Sequence, residues 1–125
     1  MTENELATEI VDAAYQVHKA LGPGLLESAY TAILAFELQA KGLHIEHQQP
    51  IPLNYKGIHV DAAFRADVIV EHKVIIEVKS VEGLAPVHRR QLLTYLRLAD
   101  MRLGLLINFN VVLIKDGIAR VVNDL

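Results

Sequence analysis

Apolar residues recur at helical spacing from Leu6 through Ile10, Ala13, Ala14, Val17 and Leu21, which predicts a helix with one buried face. Thr2-x-x-Glu5 forms a capping box at its start, and Gly22-Pro23-Gly24 ends it. A second helix is expected from about Leu25 to Lys41, with Gly42 as its stop. It is apolar over most of its circumference, which predicts burial. From His44 the texture changes. Residues 44–55 and 58–70 read as strands joined at Lys56-Gly57. Residues 73–80 read as a third strand whose near-continuous apolar run suits cover on both faces. Pro86 fits the first turn of a third helix over about 86–100, with Leu92, Leu93, Leu96 and Ala99 as its core arc. Residues 103–109 form another buried strand, and 111–115 and 118–122 flank Asp116-Gly117 as an expected terminal hairpin. The order α-α-β-β-β-α-β-β predicts an α/β chain, a mixed β-sheet with flanking helices.

Composition narrows the function classes. At 125 residues the chain suits a single domain over 1–125 and is too short for two. An apolar share of 52% excludes whole-chain disorder. The absence of cysteine excludes disulfides, thiolate nucleophiles and Cys-ligated metals, and fits a reducing compartment. No apolar run approaches about 18 residues, so no membrane span is expected. The acidic start lacks a signal pattern, and a cytoplasmic location is expected. A net charge of −3 counts against a broad nucleic-acid binder that relies on phosphate neutralisation. It is compatible with one acidic pocket around a divalent cation.

Charge falls where the pattern predicts burial. Glu77 and Lys79 interrupt an apolar strand and, two apart, share one face. Asp67 lies within the preceding apolar stretch. A turn centred on His72 makes opposed residues sum to 144, so that Asp67 faces Glu77 and Arg65 faces Lys79. A slip of one residue would send the two acids to opposite faces. Two carboxylates at cross-strand distance repel unless a positive charge lies between them. A divalent metal site satisfies that condition, since hard cations such as Mg²⁺ take carboxylate oxygens together with water and phosphates. A buried ladder of ion pairs among Asp67, Glu77, Arg65 and Lys79 satisfies it equally, and the spacing leaves both readings open.

The helices add candidates. Glu27, in the first turn of the second helix, continues a mostly apolar face through Tyr30, Leu34 and Leu38. It either complements the helix N-terminus or is aimed at a partner. Tyr30 is either a core aromatic with a bonded hydroxyl or a site residue. Gln91 and Tyr95 share a face at i, i+4, on the edge of the core arc, where they reach over the sheet or are plain boundary residues. Arg90 and Arg97 lie on the far side as solvated charges. Six histidines are scattered, without a His-x3-His pair; His44 and His47 point to opposite strand faces and His72 is a turn tip. A His-ligated transition-metal site is therefore not expected. No phosphate-cradling glycine loop or nucleophile elbow occurs.

Gly24-Leu-Leu-Glu27-Ser-Ala-Tyr30 fits Gly-x-x-Glu-x-x-Tyr. With Ile10 to Tyr15, Phe64-Arg-Ala-Asp67, Ile76-Glu77-Val-Lys79, Gln91-Leu-Leu-Thr-Tyr95 and Gly104 to Phe109, the chain resembles the bacterial and archaeal GxxExxY family of the PD-(D/E)XK nuclease-like superfamily. Ala66 stands where the superfamily name has proline. The resemblance implies an αβββαβ restriction-endonuclease-like core. It also implies Mg²⁺ or Mn²⁺ on Asp67 and Glu77, with Lys79 at the attacking water. Glu27 would match the extra acid of some members. Gln91-x-x-x-Tyr95 is similar to a motif that organises the site and contacts DNA in RecB-like nucleases. The expected function is metal-dependent hydrolysis of nucleic acid, DNA before RNA. The catalytic set is Glu27, Asp67, Glu77, Lys79, Gln91 and Tyr95; the metal set is Glu27, Asp67, Glu77 and the Val78 carbonyl. A homodimer, or a subunit of a larger assembly, is expected to embrace a duplex. The alternative is a non-catalytic module that keeps the fold to bind nucleic acid or protein.

Overall fold

The computed structural model describes residues 1–125. Glu3–Leu21 (α1) opens behind the expected capping box, Thr2 Oγ1 accepting from the Glu5 N–H and Glu5 Oε1 accepting from the Thr2 N–H. Glu27–Ala40 (α2) follows, and Lys41 ties the two helices together through Glu9 and Asp12. Ile45–Tyr55 (β1), Ile58–Val70 (β2) and Val74–Lys79 (β3) form an antiparallel meander. Pro86–Ala99 (α3) then crosses over to Leu103–Asn108 (β4), which lies parallel to β3. Ile118–Val122 (β5) closes the sheet against β4. The strand order is β1-β2-β3-β4-β5 in one mixed sheet of five strands.

Alternation along β3 and β4 sorts the core into two layers. Val74, Ile76, Val78, Leu103, Leu105 and Ile107 pack under α1 and α2. Ile75 and Leu106 pack with Leu92 and Leu96 of α3 on the other face. The central strands are thus covered on both sides, which explains their unbroken apolar runs. α3 lies so close to β4 that a Cβ on Gly104 would stand 2.7 Å from Leu92 Cγ.

The expected terminal hairpin does not form. Residues 111–113 are a loop, Ile114–Gly117 is a 3₁₀ turn, and β5 pairs with β4. The cause is packing: Ile114 enters the core beside α1, and His18 Nε2 meets the Val111 carbonyl oxygen at 2.8 Å. α2 starts at Glu27, two residues later than its apolar pattern indicates, because Leu25 and Leu26 belong to the turn. β1 is one edge of the sheet and carries Pro50 and Pro52. No helix is long and apolar enough to cross a membrane.

Candidate active site at the end of the third strand

The register between β2 and β3 sums to 144, with Val68 opposite Ile76 and Val70 opposite Val74. The ladder stops there, and Asp67 takes over: its Oδ2 accepts from the Val78 N–H at 2.8 Å. A side chain thus replaces the strand partner and fixes one carboxylate against β3. On β3, Glu77 shares the face of Ile75, toward α3. It is 6% exposed, and its Oε1 is buried with no hydrogen-bond partner. Burial first, then the Asp67 charge and the hydrogen bond to Asp67, push the Glu77 carboxyl up to about 9. Lys79 lowers it in part, and neither acid is neutralised by an ion pair. The ladder of Asp67, Glu77, Arg65 and Lys79 that the sequence left open is therefore absent.

α3 covers this pair with Tyr95. Its ring stacks on Phe64 with centroids 3.8 Å apart. Burial, then Glu77 and Asp67, raise its hydroxyl above the usual tyrosine range, which places Tyr95 in the field of both acids. Gln91, one turn earlier, is exposed at the rim.

Glu27 approaches from the other helical layer. Its Oε2 accepts from the Ser80 N–H at 3.3 Å, and Ser80 Oγ donates to the Leu25 carbonyl at 2.9 Å. The α1–α2 turn is thereby docked on the end of β3, beside a surface cleft lined by Leu25, Leu26, Glu27, Ser28 and Ser80. Tyr30 is fully buried. Its hydroxyl donates to the Gly22 carbonyl and accepts from the Leu25 N–H, and its ring stacks on Phe109 at 4.4 Å. Of its two readings, the core role holds: Tyr30 braces from within the turn that presents Glu27.

Asp67, Glu77, Lys79 and Tyr95 thus converge, Glu27 stands at the adjoining strand end, and Gln91 lies at the rim. Two neighbours escaped the sequence. Gln48 Nε2 reaches Asp67 Oδ1 at 3.5 Å from β1. Asn108, at the end of β4, accepts from the Val81 N–H at 3.1 Å and donates to the Val81 carbonyl at 2.9 Å, pinning the segment after Lys79. At the opposite end of the sheet, His44, Glu46 and His72 place one ligand atom each within 4.8 Å of one another. That grouping differs from the expectation of scattered histidines, because the third ligand comes from a turn and not from the same strand.

The oxygen-only donors of Asp67 and Glu77, and the orphaned buried Oε1, fit a hard divalent cation. The PD-(D/E)XK nuclease superfamily matches this chain over residues 4–121. No curated protein and no solved structure matches it. Nucleases of that superfamily generally use divalent metal ions and act on nucleic acid.

Proposed function

The chain belongs to the PD-(D/E)XK nuclease superfamily, and from that premise we propose that it is a Mg²⁺- or Mn²⁺-dependent phosphodiesterase that cleaves DNA in preference to RNA. The observation that carries this reading is the buried Glu77 carboxyl, without a partner on Oε1 and forced against Asp67. Two acids so placed ionise together only at a cost in stability that a cation between them offsets.

Asp67 and Glu77 would hold the ion, with Glu27 and the Val78 carbonyl as further oxygen donors. Bound there, the ion supplies charge neutralisation at the phosphate and acidifies water. Lys79 enters no ion pair, so its ammonium is free to offset negative charge that grows on the phosphate oxygens in the transition state. The Tyr95 hydroxyl stays protonated at neutral pH and serves as a donor that orients the phosphate, with the Gln91 amide beside it. Water attacks phosphorus and the bond to one nucleoside oxygen breaks. The net charge of −3 implies that contacts near the cut, and not a broad basic surface, hold the substrate. A homodimer is the assembly that suits a chain of this size acting on a duplex.

The test is cleavage of end-labelled single- and double-stranded DNA and RNA by purified protein with Mg²⁺ or Mn²⁺. Glu77→Ala and Asp67→Ala are expected to abolish it; activity that survives Glu77→Ala unchanged rejects the site. The same acidity favours a second reading, a binding module without catalysis, which requires DNA or protein binding with no cleavage by the wild type under any divalent ion.

A further inference from the structure

Away from the carboxylate pair, the sheet carries a second set of donors. His44 precedes β1, Glu46 lies on β1, and His72 sits in the turn between β2 and β3. His72 Nδ1 stands 2.8 Å from Glu46 Oε1, and His44 Nε2 stands 3.8 Å from the same oxygen. The two imidazoles stack with centroids 4.7 Å apart. Zinc bonds of about 2.0–2.1 Å hold tetrahedral donors about 3.4 Å apart, between the two separations to Glu46. Two imidazoles and one carboxylate are a donor set for borderline transition cations, whereas Mg²⁺ favours oxygen alone.

The backbone is arranged for these side chains. Lys73 N–H donates to the Val70 carbonyl at 2.9 Å, closing a turn whose central residues Glu71 and His72 have φ of 53° and 56°. Both values have the sign of a type I′ turn, which Asn and Gly fill with least strain. Glu is uncommon there. Glu71 anchors the other histidine: its Oε2 accepts from the His44 N–H at 3.3 Å, and its own N–H donates to the His44 carbonyl at 2.9 Å. This turn presents the His72 ring against that of His44.

The geometry points to a site for one zinc-class divalent cation on His44, Glu46 and His72, with a fourth position left for water or an external ligand. Bound there, the ion staples the edge strand to the β2–β3 turn. Glu77 lies three residues beyond Val74 on β3, about 10 Å along the strand, and His72 lies past Val74 on the other side. The site is therefore independent of the carboxylate pair, since paired catalytic ions stand about 3.5–4 Å apart.

Chelator-stripped full-length protein is titrated with Zn²⁺ by calorimetry and with Co²⁺ by visible absorption, in the wild type and in Glu77→Gln. One ion per chain is expected at this site in Glu77→Gln, with the Co²⁺ bands of low coordination. His72→Asn removes an imidazole and keeps a residue suited to positive φ; His44→Gln removes the other. In the Glu77→Gln background each is expected to weaken Zn²⁺ by more than about 100-fold, beyond the usual effect of losing an outer partner. Circular dichroism verifies that both variants fold. No binding in Glu77→Gln, or binding there that survives both histidine substitutions, overturns the proposal. Cleavage of DNA is not read out, so failure here leaves the nuclease reading untouched.

Discussion

The Glu77 carboxyl lies buried beside Asp67. A carboxyl that titrates at about 9 when folded and at 4.5 ordinarily couples pH to stability. Between those values the unfolded chain has released the proton and the folded chain keeps it. Metal-free protein is thus most favoured below pH 4.5 by this group and loses that stability progressively as pH rises to 9. Glu77→Gln removes the slope. Thermal melts of metal-free wild type and variant are expected to diverge as pH rises, with the variant falling less; parallel curves would show that the carboxyl is not buried as described. The residues of the pair were legible because a tight turn fixes its own register: the centre at His72 gives the sum of 144 that the strands keep. Gln48 was not legible. Tyr55 and Ile58 flank the Lys56-Gly57 turn and sum to 113, but a bulge between Ile51 and Leu53 shifts the remaining pairs to 115. Only that shifted sum sets Gln48 beside Asp67 and His44 beside Glu71. A bulge leaves no clear mark in a strand already interrupted by two prolines.

Among the elements, the turn before α2 and the seat of α3 decide how the site is framed. Tyr30→Phe deletes both hydrogen bonds that hold the Gly22–Leu25 turn while keeping the stack on Phe109. Urea denaturation is expected to show a loss of about 1–3 kcal/mol, the usual net worth of two such bonds, and Glu27 loses its fixed platform. Gly104→Ala forces a methyl onto the buried Leu92 side chain, so Leu92 must repack or α3 must move outward. The cost is about 1–3 kcal/mol in the same measurement. Most elements could be read from periodicity and punctuation, since caps, glycines and apolar spacing act locally. The final hairpin could not. Asp116-Gly117 has the composition of a two-residue turn, but Gly117 is needed for a different reason: a Cβ there would stand 2.1 Å from the Asn108 carbonyl oxygen. Close approach and turn formation select the same residue type, and the sequence does not distinguish them.

For the molecule as a whole, the two ends of the sheet carry donors of different character, oxygens at one and mainly imidazoles at the other. Mg²⁺ binding at the carboxylate end requires Glu77 to ionise, so near neutral pH it is expected to release about one proton per ion. Calorimetry in buffers of different ionisation enthalpy measures that number directly; no proton release would separate Mg²⁺ from Glu77. Saturation also raises stability by mass action, by about 2.7 kcal/mol at 100 times the dissociation constant.

The prolines of β1 have a consequence for association. A free sheet margin normally offers amide donors on which a stranger's backbone can crystallise into fibrils. Pro50 and Pro52 have no amide hydrogen to offer, and the opposite margin, β5, is only 5 residues long. Neither rim makes a good template, which leaves helical surfaces as the ground on which two copies can meet without seeding runaway polymer.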